Sequence, residues 1–185
     1  MKQTTLNKRL DSLLRTECSG CARCCSEPVV PITHSDLKRI MKRTGQNPQD
    51  IVSFVSINEI NFEKDSQYWI RFGKKKRAMV LTKKSDKCQY LNDENRCSIY
   101  TSRPLTCRTF PITIHLDENL NIETASLNRI IKDRYPKGSK KPLKDFLNTA
   151  ITEHKEDNTF HELIEMWNML YAHPSEIEFL KFIAA

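Results

Sequence analysis

Leu6, Leu10, Leu13 and Leu14 recur at helical spacing in a charged N-terminal segment, and this single apolar stripe predicts a helix over Thr5 to Arg15. A second amphipathic stretch, HSDLKRIMKRTG, puts Leu37, Ile40 and Met41 on one face. Thr33, three residues before Asp36, gives it a capping-box start, and Gly45 suits its C-terminal cap. Asn47-Pro48 predicts a further short helix running through IVSFV, with proline at its first position. The period then changes. YWIRF (68–72) and RAMVLT (77–82) read as two strands, joined at Gly73 and three lysines by a hairpin turn. ITIHL and LNIET, around Asp117-Glu-Asn, predict another hairpin. Beyond Pro142, LKDFLNTAITEH, FHELIEMWNMLY and SEIEFLKFIAA all have helical spacing, with Pro174 between the last two.

Short hairpins followed by helices define an irregular α+β fold. The expected division is a small cysteine-rich domain over residues 1–136 and an α-helical extension over 142–185 packed on it, with KGSKKP (137–142) as the linker. Phe146, Phe160, Trp167 and Phe179 are expected to pack that extension as core.

Charge is unevenly spread. The chain of 185 residues carries +7, but residues 143–185 hold three Lys/Arg against eight Asp/Glu, leaving +12 to the first 142. Lys74-Lys75-Lys76-Arg77, Lys83-Lys84 and the lysines from Lys137 to Lys141 supply much of it. These read first as solvated loops, and secondly as an attraction for an anionic partner or for the acidic helices. No apolar run approaches the ~20 residues that cross a bilayer. The N-terminal segment has no apolar signal-peptide core. The expected location is cytoplasmic.

That location bears on the seven cysteines, Cys18, Cys21, Cys24 and Cys25, then Cys88, Cys97 and Cys107. Cytosolic proteins rarely keep structural disulfides, and an odd total leaves one thiol over. Buried core thiols could explain Cys88 or Cys107, but not four cysteines in a loop of Ser, Gly, Ala and Arg. Metal ligation can. A C-x2-C step wraps backbone around one centre, as zinc knuckles and iron–sulfur loops do. Three thiolates in C-x2-C-x2-C suit a cubane, whose irons are about 2.7 Å apart and need separated sulfurs, with a fourth ligand from the second set. Adjacent Cys24 and Cys25 are expected to point in different directions and so not to serve one centre equally. His34 and His115 read as surface or cap residues rather than ligands. His154 and His161, seven apart, could share a helical face without implying a site.

The blocks C18-S-G-C21-A-R-C24-C25 and C88-x-Y-L-x5-C97-S-I-Y-x2-R103-P104-x2-C107-R108-x-F-P together resemble the YkgJ-like CxxCxxCC cysteine-cluster family of zinc- or iron-chelating proteins. The resemblance spans about residues 18–111. It implies that all seven cysteines belong to the site region, and its metal is a [4Fe-4S] cluster or Zn2+. Similar clusters occur in flagellin lysine methylases. In the second block, Tyr100 and Phe110 are expected as apolar walls around the sulfurs, and Arg103 and Arg108 as charge balance for thiolates. Tyr90, Leu91 and Ile99 read as plain core.

Three functions fit these residues, and an iron–sulfur cluster is preferred to zinc. In the first, thiolates hold [4Fe-4S] for electron transfer or redox sensing, with a redox protein as partner. In the second, structural zinc ties residues 18–25 to 88–107, and the basic face meets an acidic partner. Nucleic-acid recognition is disfavoured, because neither zinc-finger C2H2 spacing nor an RNP-like aromatic motif occurs. In the third, the chain is a metal-dependent oxidoreductase or methyltransferase. Four glycines and no G-x-G argue against a methyl-donor or dinucleotide turn. The spacing is also not the C-x3-C-x2-C of radical chemistry.

Overall fold

A computed structural model describes residues 10, 13–14, 22–26, 28–60, 62–63, 66–117, 119–128, 142–170 and 175–184. The architecture is α+β, with helices and small antiparallel sheets. By packing, the chain forms two compact units, one of residues 1–21 and 105–155, the other of residues 22–104 and 156–185. Among the described residues, no helix is long and apolar enough to cross a membrane.

The larger unit contains helices α1 (Arg23–Ser26), α2 (His34–Thr44) and α3 (Pro48–Ile51), and strands β1 (Val52–Val55), β2 (Ile70–Phe72), β3 (Lys75–Leu81), β4 (Lys83–Lys84) and β5 (Lys87–Cys88). The expected capping box is present. Thr33 Oγ1 accepts from the Asp36 amide at 3.2 Å, and Asp36 Oδ2 accepts from the Thr33 amide at 3.2 Å. Gly45 ends α2 at φ +70, where a side chain is disfavoured, and donates its N–H to Met41 O at 2.8 Å.

The helix expected through IVSFV stops at Ile51, and Val52–Val55 is a strand. Its β-branched and aromatic residues find pairing partners in β3, with Val52 opposite Leu81 and Phe54 opposite Met79. A run this short has no decisive period of its own, so tertiary pairing decides. The β2–β3 hairpin forms as expected, with Phe72 opposite Lys75 and Gly73 at φ +59 in the two-residue turn.

Strand β3 is the centre of the sheet, with β1 on one side. On the other side it pairs first with β2 and then with the segment at Pro31, where Leu81 N donates to Val30 O at 2.9 Å and Ile32 N to Met79 O at 3.3 Å. Helix α5 (Leu143–Leu170) is continuous through the two stretches of helical spacing that the sequence shows there, and α6 (Glu176–Ala184) follows. Phe160, Ile164 and Trp167 of α5 and Phe179 of α6 are buried in one core with Leu37, Ile40, Ile51 and Met79. Full burial of side chains this large is worth roughly 2–3 kcal/mol each, which makes residues 156–170 of α5, with α6, structural parts of the unit.

A polar layer lies beside that core. Arg39 of α2 pairs with Asp36 and, at 2.6 Å, with Glu156. Asp157 is half-buried; burial, with the nearby Asp36 and Glu156 charges, pushes its carboxyl up to about 6 against the pull of a hydrogen bond from Tyr68. His34 stacks on Phe160 and His161 meets Tyr68 edge-on, and burial lowers the pKa of both rings.

The smaller unit contains α4 (Leu105–Thr109) and the hairpin of β6 (Ile112–Leu116) and β7 (Ile122–Leu127). Asp117 Oδ1 closes its turn by accepting from the amides of Asn119 at 2.9 Å and Asn121 at 2.8 Å. Leu10, Leu13, Leu14, Ile112, Ala125 and Phe146 form its core. Most of the helix expected over Thr5 to Arg15, and all of KGSKKP except Pro142, lie outside the described residues.

Candidate metal centre

The first cysteine block enters through Ala22, a non-glycine residue at φ +59. Cys25 N then donates to Ala22 O at 3.0 Å, and Ser26 Oγ folds back on the same carbonyl at 3.0 Å. This tight turn is α1. It places the sulfurs of Cys24 and Cys25 3.8 Å apart. The expectation that adjacent cysteines diverge is therefore corrected. It holds for a strand, where successive side chains take opposite faces, whereas the helical turn separates them by only about 100°. Cys18 and Cys21 lie outside the described residues.

The second block folds back on itself. Asn92 makes the turn, its Oδ1 accepting from Glu94 N at 3.1 Å and Arg96 N at 2.7 Å. Leu91 then bridges Cys97, and Ser98 N donates to Tyr90 O at 2.8 Å. The C-x8-C spacing thus puts Cys88 and Cys97 on the two limbs of one turn, both packed against the large core. Tyr90 and Ile99 are buried core, as expected, while Leu91 is half-buried. The Tyr90 hydroxyl donates to Gln46 Oε1 at 2.7 Å.

The two blocks meet, with α1 lying against β5. Burial raises the pKa of the Cys88 thiol, and negative charge on Cys97 and Cys24 raises it further. A hydrogen bond from the Tyr90 backbone and the Lys83 ammonium act the other way. The contact of α1 with β5 brings residues from both halves of the cysteine pattern together, in surroundings that disfavour uncompensated thiolates. A bound cation relieves that conflict. This donor set of soft sulfurs fits zinc or iron.

Cys24, Cys25, Cys88, Cys97 and Cys107 form no disulfide. Cys107 lies on α4 in the smaller unit, half-buried. Among the described residues, no three His, Cys, Asp or Glu side chains stand in metal-site geometry.

The flanking residues divide differently from expectation. Tyr100 is 54% exposed, and its ring carries the Arg103 guanidinium 3.9 Å from the centroid. Phe110 and Arg108 are half-buried in the smaller unit. His34 is half-buried at the start of α2, directly after the Thr33 cap, and His115 is exposed on β6, as a cap or surface reading allows. Sequence reasoning missed Lys83, whose Nζ donates to Ser26 O at 2.6 Å. The signal available was its place in the K-K-S-D-K-C hairpin leading into Cys88.

The model of the CxxCxxCC family, described as "Putative zinc- or iron-chelating domain", matches residues 17–129. The chain belongs to this family. The match takes in all seven cysteines and makes metal chelation the property that the family shares. Comparisons with curated proteins and with solved structures gave no match.

Proposed function

We propose that the chain is a metal-binding protein in which thiolates of the larger unit, from Cys24, Cys25, Cys88 and Cys97, hold a zinc or iron centre joining its two cysteine blocks. The observation that carries this reading is the 3.8 Å separation of the Cys24 and Cys25 sulfurs beside Cys88. Zinc–sulfur bonds of about 2.3 Å in a tetrahedron give a sulfur–sulfur edge of about 3.8 Å. Thiolates on two corners of an iron–sulfur cubane stand roughly 6 Å apart. The adjacent pair therefore favours a single tetrahedral ion over a cubane that uses both sulfurs.

The second reading is a [4Fe-4S] cluster for electron transfer or redox sensing. The C-x2-C-x2-C spacing favours it, and it needs only one of the adjacent pair as ligand. A methyl-transfer role like that of flagellin lysine methylases has no Gly-rich turn to support it.

Anaerobic purification followed by metal analysis and an absorbance spectrum tests the proposal. Zinc in a colourless sample selects a tetrahedral zinc centre. About four irons with a broad band near ~400 nm select the cubane. A folded chain that takes up neither metal overturns the proposal.

A further inference from the structure

Lys83 touches both cysteine blocks at once. On β4 it stands directly opposite Cys88 of β5, and its ammonium reaches the carbonyl of Ser26, the last residue of the turn that bears Cys24 and Cys25. The last carbonyls of a helical turn lack intrahelical donors, so a lysine there completes the turn. An ammonium has donors only and is no thiolate-like ligand. A lysine that merely keeps a hairpin soluble faces water, as Lys84 and Lys87 do; Lys83 between them and the sheet is half-buried. Its position is also fixed from behind. Strand β4 continues β3 after Thr82 alone, and β3 holds Val30, which follows the cysteine turn, through Leu81 N.

We infer that Lys83 is a positioning residue that assembles the thiol cluster ahead of the metal, pinning the Cys24–Cys25 turn to the strand that carries Cys88. The inference rests on the proposed thiolate centre for its purpose, but the pin itself exists without metal. Its positive charge also offsets part of the charge that several thiolates bring together.

The test uses the full chain with Lys83→Met, Lys83→Arg and, as an exposed control, Lys84→Met. Metal affinity is read by competition with a chelator, using zinc and ferrous iron as probes. Hydrogen exchange of amides 23–26 is read in the metal-free chain. Lys83→Met is expected to weaken metal binding about 10–100-fold, the usual cost of losing an outer partner of a metal site. It is expected to speed exchange in the turn while leaving the far-UV spectrum unchanged. Lys83→Arg restores both readouts to within about threefold, and Lys84→Met matches wild type. Wild-type affinity and exchange in Lys83→Met overturn the inference. Should Lys83→Met not fold, Lys83→Gln replaces it, with an expected affinity between those of wild type and a Cys88→Ser chain; wild-type affinity again overturns the inference. A wild-type chain that binds neither metal defeats the thiolate reading alone, because the exchange measurement still decides the pin.

Discussion

The side chain of Asn168 acts as a strand partner for the backbone around Arg71. Its Oδ1 accepts from Arg71 N at 2.8 Å while its Nδ2 donates to Trp69 O at 2.9 Å. Trp167 Nε1 adds a bond to Arg71 O at 3.1 Å. An edge strand otherwise offers these groups to another chain. Asn168→Leu is expected to destabilise the fold by about 1–3 kcal/mol, because it removes two bonds at a partly buried edge. Urea unfolding checks this, and an unchanged midpoint counts against it.

Asp157 makes the larger unit sensitive to pH. Its carboxyl is held near 6 in the fold, above the ordinary value of 3.8, mainly by burial. Folding then favours the protonated form. The stability it contributes is full below pH ~3.8 and is lost as the pH rises through about 6, a change on the order of 3 kcal/mol. Asp157→Asn keeps an acceptor for Tyr68 and cannot ionise. It should therefore be more stable than wild type at pH 7.5 and nearly equal to it at pH 3.5. Denaturation curves at the two pH values test the sign.

The adjacent cysteines give a prediction that separates the metal readings. If one tetrahedral ion uses both sulfurs, Cys24→Ser and Cys25→Ser each lower metal affinity by at least about tenfold, as does Cys88→Ser. A cubane with one ligand from the pair predicts unequal losses, with one of the two variants near wild type. Metal content after dialysis against a weak chelator distinguishes these outcomes.

Thr33 offers a test of local structure away from the sulfurs. Thr33→Ala breaks one limb of the capping box at the start of α2. The expected loss is about 1 kcal/mol, visible as a lower midpoint in thermal unfolding with metal content unchanged.

What the sequence revealed followed the range of the interactions. The cap at Thr33 and Asp36, the Gly45 terminus and the turn at Asp117 are closed by residues two to four apart, and all were readable. Val52–Val55 was misread because its conformation is decided by Leu81 through Ala78, far along the chain. The continuity of Leu143–Leu170 was hidden by the polar stretch between its two apolar patterns, which contains neither glycine nor proline. In the site, the residue types and their two blocks were legible. The closeness of the Cys24 and Cys25 sulfurs was not, because it depends on the short helical turn at Arg23–Ser26. Arg39 with Glu156, 117 residues apart, and Lys83 with Ser26 are products of folding that no local pattern announces.

The bond from Lys83 to Ser26 spans 57 positions, and this has a consequence for the newborn protein. On the ribosome, the first thiols emerge long before the strands that anchor them have been made. Until residue 83 has left the exit tunnel, the turn of Cys24 and Cys25 lacks the bond that ties it to β4, so its geometry is completed only after the second block has begun to emerge.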